Sequence, residues 1–328
     1  MRYTTSKLTE RRSMELSFQK YHGLGNDFVM IDNMSSALSL TKDHVSFLCD
    51  RHFGMGADGV ILVEPGKTSN TAAFMNYINA DGSLAEMCGN GLRCTARWLI
   101  DNNYIDASCT HFAIDTRAGI KDVDIHYDVL KRFDSCCVNM GKAQLESQKI
   151  PTILHPSRRF ERTGSACAID VVADVLLKSP FGNFMFTCVS MGNPHAVCFV
   201  TSWNDLYDSA FSDPQNKCLE TLRVDSVGAF FESHAAFPQH ANIEFVDVSH
   251  AQQGSVSMRV FERGCGETLA CGTGACAVGV ASVIAGYTEQ EVDVHLRGGV
   301  LHISWDPSGV VYMQGPAMQV YRGTIHLL

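Results

Sequence analysis

The chain has 328 residues, enough for two domains at roughly 100–200 residues each. Hydrophobic residues make up 45% of it and charged residues 19%, which excludes the disordered and fibrous classes and supplies ample material for packed cores. Acids outnumber bases by 35 to 26, a formal charge of −9, which argues against non-specific binding to nucleic acid or to an anionic membrane but leaves room for a local basic pocket for a small acidic ligand.

Residues 1–14 are polar and unpatterned and read as an N-terminal extension, with Met14 a second possible start. The first twenty residues lack the apolar stretch of a signal peptide. From Phe18 onward short β-like runs follow one another: Phe28–Ile31, Val60–Val63 and Ala73–Ile78, then Ala196–Val200, Ile243–Val248, Val256–Phe261, Val292–Leu296 and Val310–Met313. Their alternation predicts half-buried strands, and the Gly, Asp and Asn clusters between them predict turns. The stretch Arg132–Pro180, with Cys136-Cys137 and the basic Ser157-Arg158-Arg159, reads as the link between domains.

An internal repeat organises the rest. Cys88-Gly89-Asn90-Gly91 precedes the helix-like run Leu92–Ile100, and Cys271-Gly272-Thr273-Gly274 precedes Ala275–Ile284. Each copy follows a strand that ends in a glycine turn. A weaker pair, Gly25-Asn26-Asp27-Phe28 and Gly192-Asn193-Pro194-His195, recurs in the same order. Two similar domains are expected. The second helix is apolar all round and should be buried on every side. The first carries Arg93 and Arg97 four apart with Asp101 beyond them, so one face should meet polar surroundings. Buried helices among many short strands predict an α/β (α+β) fold of two pseudo-symmetric domains, each a mostly antiparallel sheet curled around a central helix.

A thiol just before Gly-x-Gly and a helix sits at the positive end of the helix dipole, where its thiolate is favoured and backbone N–H groups can approach an anion. Two such thiols, one per half, can face each other across a cleft. Inverting a stereocentre beside a carboxylate needs that arrangement: one thiolate removes the Cα proton and the opposite thiol returns a proton to the other face. Helix N-terminal donors then stabilise the charged intermediate, each worth roughly 2.7–4 kcal/mol in other enzymes.

An isolated Cys-Gly-x-Gly is as readily a packing cysteine as a reactive one; the duplication favours function. Cys94 and Cys276, inside the helices, read as packing, Cys265 as an incidental turn residue, and the other cysteines as core. His195 follows Gly-Asn-Pro, an unexpected place for a core histidine, and Glu262 and Arg263 end a strand near Cys271. Gly54–Gly59 matches G-x-G-x-x-G but leads into a strand instead of a helix, so a dinucleotide site is rejected. Neither C-x-x-C nor H-E-x-x-H occurs, so no metal is expected, and no lysine lies beside either thiol to anchor pyridoxal phosphate, so no cofactor is expected. Thirteen scattered cysteines point to a reducing cytoplasm, and the longest uncharged helical run, Cys271–Gly286, is shorter than the roughly 20 residues of a membrane span.

Five motifs in order, Lys20–Phe28, Asn79–Ser83, Met87–Cys94, Met191–His195 and Glu262–Ala275, resemble the diaminopimelate epimerase family from about residue 15 to the C-terminus. The resemblance implies a cofactor-free interconversion of LL- and meso-diaminopimelate on the route to lysine and peptidoglycan. It implies that Cys88 and Cys271 are the acid/base thiols, and that Gly89-Asn90 and Gly272-Thr273 clamp the reacting carboxylate. Asn26, Asn79, Asn193, Asn242 and Arg263 would hold the substrate, and His195 and Glu262 would support the thiols, Glu262 also touching substrate. Tyr321 would lie at a homodimer interface. The domains would span 15–140, with the last strand, about 315–328, returning to the first, and 141–314. Gly59 stands where some members carry a substrate-contacting glutamine, and Cys265 where alanine is usual. The regions Arg132–Pro180 and Trp203–Phe237 look like surface insertions. A racemase of a smaller amino acid, a thiol–disulfide redox centre and a silent amino-acid-binding module are the alternatives. The distal asparagines and Arg263 speak against the first, the lack of a local dithiol against the second, and the retained thiol pair against the third.

Overall fold

Leu24 and Gly25 both take positive φ, +56° and +90°, the two-residue hairpin turn whose twist matches that of antiparallel strands. The turn joins β1 (Met14–Gly23) to β2 (Asn26–Asp32). The computed structural model describes residues 14–161 and 168–327, so residues 1–13 of the extension expected over residues 1–14, and Cys167, lie outside the described residues, while Met14 already belongs to β1. After β2 come α1 (Lys42–Cys49), β3 (Gly59–Glu64), β4 (Ala73–Asn79), α2 (Gly89–Asp101), β5 (His111–Thr116), β6 (Gly119–Tyr127) and β7 (Phe133–Lys142). A small hairpin, β8 (Arg158–Phe160) with β9 (Ile169–Val171), and β10 (Val175–Ser179) lead to the second half. That half runs β11 (Gly182–Ser190), β12 (Pro194–Val200), α3 (Val224–Glu232), β13 (Asn242–Asp247), β14 (Ser255–Glu262), β15 (Gly266–Thr268), α4 (Gly272–Ala285), β16 (Glu291–Leu296), β17 (Gly299–Trp305) and β18 (Val310–Gly315). The last strand is β19 (Met318–Leu327).

Pairing repeats between the halves. β2 and β3 are parallel across α1, as β12 and β13 are across α3. β4 and β5 are parallel across α2, as β14 and β16 are across α4. Parallel neighbours need a crossover, and a helix supplies each one. The remaining pairs are antiparallel, and β7 pairs with β18, stitching the halves into one sheet. β19 returns to pair along β1 from Met14↔Leu327 to His22↔Met318. The expected mixed fold of two pseudo-symmetric halves around central helices is present.

Three details differ from expectation. The runs in β2, β3, β12 and β13 are buried on both faces instead of one. Phe28, Met30, Ile61 and Val63 face a core shared with α2 and α4, while Val29, Ile31, Val60 and Leu62 pack outward against Val45 and Leu48 of α1. In the second half Ala196, Cys198, Ile243 and Phe245 pack outward with Val227 and Phe231 of α3. Next, the stretch Arg132–Pro180 contains β7, a full strand of the seam, so the link starts only after Lys142. Finally, Arg93 meets no solvent: it is 0% exposed. Its guanidinium donates to Pro316 O at 3.1 Å and to Asn90 Oδ1 at 3.0 Å, tying α2 to the segment between β18 and β19. Only Arg97 and Asp101 form the polar face, as an ion pair at 3.2 Å. α4 is enclosed as expected and ends at Gly286, whose φ of +77° makes the left-handed cap.

Candidate active site

Cys88 caps the N-terminus of α2, its Sγ accepting from Gly91 N at 3.4 Å, and Cys271 holds the same position before α4. The two helix starts lie side by side. Asn90 Nδ2 donates to Ala270 O, the residue before Cys271, at 3.4 Å. Met313 of β18 fills the space between them: a Cβ on Gly89 would stand 2.7 Å from its methyl, and one on Gly272 would stand 3.0 Å from its sulfur. These two positions need glycine because the helices close on a common side chain.

Glu262, at the end of β14, bears on both thiols. Its charge opposes ionisation of Cys88 and of Cys271, and it accepts a hydrogen bond from Cys271 and another from Thr268. Cys88 also donates to Asn26 Oδ1 at 3.8 Å, and Cys271 lies 3.5 Å from Thr273 Oγ1. The duplicated motif leads to the expectation of two thiols facing each other across a cleft; in the structure both lie in the neighbourhood of Glu262.

The expected thiolate character is not what the surroundings impose. Burial pushes the Cys88 thiol up; the Gly91 N–H, Arg93 and the Asn90 N–H pull it part of the way back. Burial pushes Cys271 further up, and Glu262 and Glu244 add to that push. Desolvation outweighs the helix end because a charge inside a low-dielectric cleft loses more hydration than one turn of N–H groups returns. Cys88 is therefore the easier thiol to ionise.

The asparagines are held by the protein itself. Asn26 Nδ2 donates to Asp58 Oδ2 at 2.6 Å and its Oδ1 accepts from Asn90 at 3.1 Å. Asn79 donates to Ser83 Oγ, and Asn242 bridges Pro194 O and the Arg263 N–H. Asn193 Nδ2 donates to Thr273 Oγ1 at 3.4 Å and its Oδ1 lies 3.1 Å from His195 Nε2. Arg263 donates to Gln239 O and is otherwise exposed. His195 departs from its reading as an unexpected core histidine: it is 1% exposed, with Nδ1 2.6 Å from Glu244 Oε1, because β12 is covered on both faces. Tyr321 lies on β19 and its hydroxyl donates to Met55 O. Among the cysteines, Cys94 and Cys276 are buried as expected and Cys265 is exposed, whereas Cys109, Cys137 and Cys218 are only half-buried.

Glu244, Arg93 and Tyr77 belong to this neighbourhood and were missed from sequence. Glu244 had a signal, as the one charge inside the apolar run Ile243–Val246. Tyr77 occupies the space beside Gly59: a Cβ there would stand 2.4 Å from its ring. Burial and the neighbouring Cys88 and Asp58 raise its phenol.

The family described as "Diaminopimelate epimerase" matches residues 18–146 and 187–320. The chain belongs to the diaminopimelate epimerase family. It is 44% identical over 320 residues to the diaminopimelate epimerase of Thermosynechococcus vestitus, covering 95% of this chain and 100% of that one. It is 42% identical to the chloroplastic diaminopimelate epimerase of Oryza sativa subsp. japonica, covering 96% of this chain and 82% of that one. In fold it resembles a hydroxyproline epimerase from Agrobacterium vitis, solved with bound trans-4-hydroxy-L-proline, at TM-score 0.63 and 13% identity over 97% of this chain and 93% of that one. It also resembles a Bacillus anthracis phenazine biosynthesis protein of the PhzF family, at TM-score 0.62 and 14% identity over 96% of this chain and 99% of that one.

Proposed function

We propose that this member of the family interconverts LL- and meso-diaminopimelate with Cys88 and Cys271 as its two bases and without a cofactor. The observation that supports the reading is the side-by-side placing of two equivalent helix starts, each capped by a cysteine and joined where Asn90 Nδ2 donates to Ala270 O at 3.4 Å.

Substrate enters with its Cα between the sulfurs. One cysteine, as thiolate, takes the Cα proton; the electron pair of the broken C–H bond moves into the carboxylate, which becomes an enediolate. The other cysteine, as thiol, donates its proton to the opposite face and ends as thiolate, so the reverse reaction starts from the mirror state. Backbone N–H groups at Gly89-Asn90 and Gly272-Thr273 face the carboxylate as its charge grows. Cys88, the less strongly raised thiol, is assigned as the base of the first half-reaction and Cys271 as the acid, since burial and Glu262 favour its protonated form. Asn26, Asn79, Asn193, Asn242 and Arg263 take the distal end of the substrate, and the domains are taken as 15–140 with the last strand, and 141–314.

The homodimer is assigned to β19, whose Met318, Val320 and Tyr321 are exposed. Among the described residues no helix is long and apolar enough to cross a membrane. The many scattered thiols suit a reducing cytoplasm.

Incubation with LL-diaminopimelate in heavy water tests the reading. Meso product carrying one deuterium at Cα is expected; the absence of both product and label overturns it. A panel of smaller amino acids in the same assay separates this substrate from a proline-like one.

A further inference from the structure

Glu244 lies in the middle of β13 with 0% of its surface exposed, and its Oε2 has no hydrogen-bond partner among the described residues. Its Oε1 sits 2.6 Å from His195 Nδ1, and a Cβ on Gly274, in the first turn of α4, would stand 2.9 Å from that same oxygen. From His195 a chain of contacts runs to the second thiol. His195 Nε2 lies 3.1 Å from Asn193 Oδ1, Asn193 Nδ2 donates to Thr273 Oγ1 at 3.4 Å, and Thr273 Oγ1 lies 3.5 Å from Cys271 Sγ.

The direction of each link follows from the chemistry of its atoms. An amide oxygen only accepts, so His195 Nε2 must carry a proton and donate it to Asn193. The Asn193 amino group then faces Thr273 and fills the acceptor side of its hydroxyl. The hydroxyl proton is left to point at Cys271 Sγ. His195 Nδ1 and Glu244 Oε1, at 2.6 Å, hold one further proton between them, and with that proton the pair is neutral whichever atom carries it. An unpaired anion at Glu244 would be costly at such burial.

We propose that Glu244 is a positioning residue for proton transfer at Cys271: by sharing a proton with His195 it keeps the buried pair neutral and aims the last hydroxyl of the chain at the sulfur. The proposal rests on the reading of Cys271 as an acid/base thiol. The titratable groups that face Glu244 are His195 on β12, Cys188 on β11, Glu262 at the end of β14 and Cys271 before α4. His195 is the group within hydrogen-bond distance. Burial pushes the Glu244 carboxyl up and His195 pulls it back, consistent with a retained proton.

The first readout needs no substrate. Iodoacetamide alkylation of Cys88 and Cys271 is followed separately by peptide mass spectrometry against pH, in the full chain and in Glu244→Gln. The amide donates to His195 Nδ1 and so keeps both the chain's direction and the neutrality of the pair, and the Cys271 and Cys88 midpoints should each stay within about 0.3 pH unit of the parent chain. In Glu244→Leu, His195 loses its Nδ1 partner and the chain loses its direction. There the Cys271 midpoint should rise by about half a pH unit or more while that of Cys88 stays, and kcat should fall at least about tenfold with KM within about threefold. A purely structural role would lower Tm and alter both cysteines together. A Cys271 midpoint that falls in Glu244→Gln would show a charged Glu244 and overturn the proposal, as would one that is unmoved in Glu244→Leu or moves equally with Cys88. If Glu244→Leu does not fold, Glu244→Gln alone decides. Lack of turnover in the unmodified chain would instead sink the epimerase reading, and alkylation would still report on Glu244.

Discussion

Asp58 fixes which way round the amide of Asn26 sits: its Oδ2 accepts from Asn26 Nδ2 at 2.6 Å, so Asn26 Oδ1 is turned toward Cys88 and Asn90. Asp58 is itself held by Arg51 at 2.7 Å, and Arg51 also pairs with Asp27. Asp58→Ala should release the amide and lower kcat/KM by about tenfold with the fold retained, since a loosely placed contact costs about that much in alignment. Steady-state kinetics alongside circular dichroism check it; kinetics equal to the parent chain would show that Asn26 is oriented by other groups.

The raised thiols set the pH response. The base must be ionised, and its ionised fraction grows as pH rises toward a value lying above that of an ordinary thiol. The acid must stay protonated, and Cys271 is pushed higher still. The expected profile of kcat/KM climbs about tenfold per pH unit through neutrality, flattens in the alkaline range and falls beyond it. A profile already flat at pH 6 would mean that a closed, liganded cleft lowers Cys88 far below its value here.

Arg93 should be a stability residue. Arg93→Met keeps the length and the apolar stem but strands Asn90 Oδ1 and Pro316 O without their donors. A loss of about 2 kcal/mol is expected in urea unfolding, the cost of buried acceptors left without partners. An unchanged midpoint would show that shedding a buried charge offsets that loss.

Gly59→Ala should be harmful for a reason that turn geometry does not involve. The new methyl would stand 2.6 Å from the backbone oxygen of Ile78 as well as 2.4 Å from the Tyr77 ring, and the backbone cannot swing aside. Destabilisation of about 1–3 kcal/mol is expected from the drop in Tm. Adding Tyr77→Ala should restore only part of it, because the Ile78 oxygen remains.

The duplicated Cys-Gly-x-Gly motif made the two thiol-bearing helices legible because an N-terminal cap is a local event, written in four consecutive residues. Strand positions were legible too, for β propensity is read over the same short range. What could not be read was set by layers meeting at a distance. The i, i+4 spacing of Arg93 and Arg97 looks alike whether the facing element is water or the Pro316 carbonyl. Outward packing of Val60 and Leu62 depends on α1 folding back over them. The thiols were misjudged for the same reason, since helix polarity is visible in a motif and desolvation is not. His195 and Glu244 are separated by 49 residues, and only the parallel register of His195 with Asn242 brings them together.

The pairing of β1 with β19 has a consequence for synthesis. Met14 finds its partner Leu327 at the far end of the chain, and at ribosomal speeds that partner emerges on the order of 15–60 s later. Until then one edge of the first sheet is bare, with Leu16 and Phe18 still uncovered on that side. A nascent chain stalled or cut short before Met318 would therefore display a sticky ribbon to its neighbours, and the emergence of β19 is what closes it.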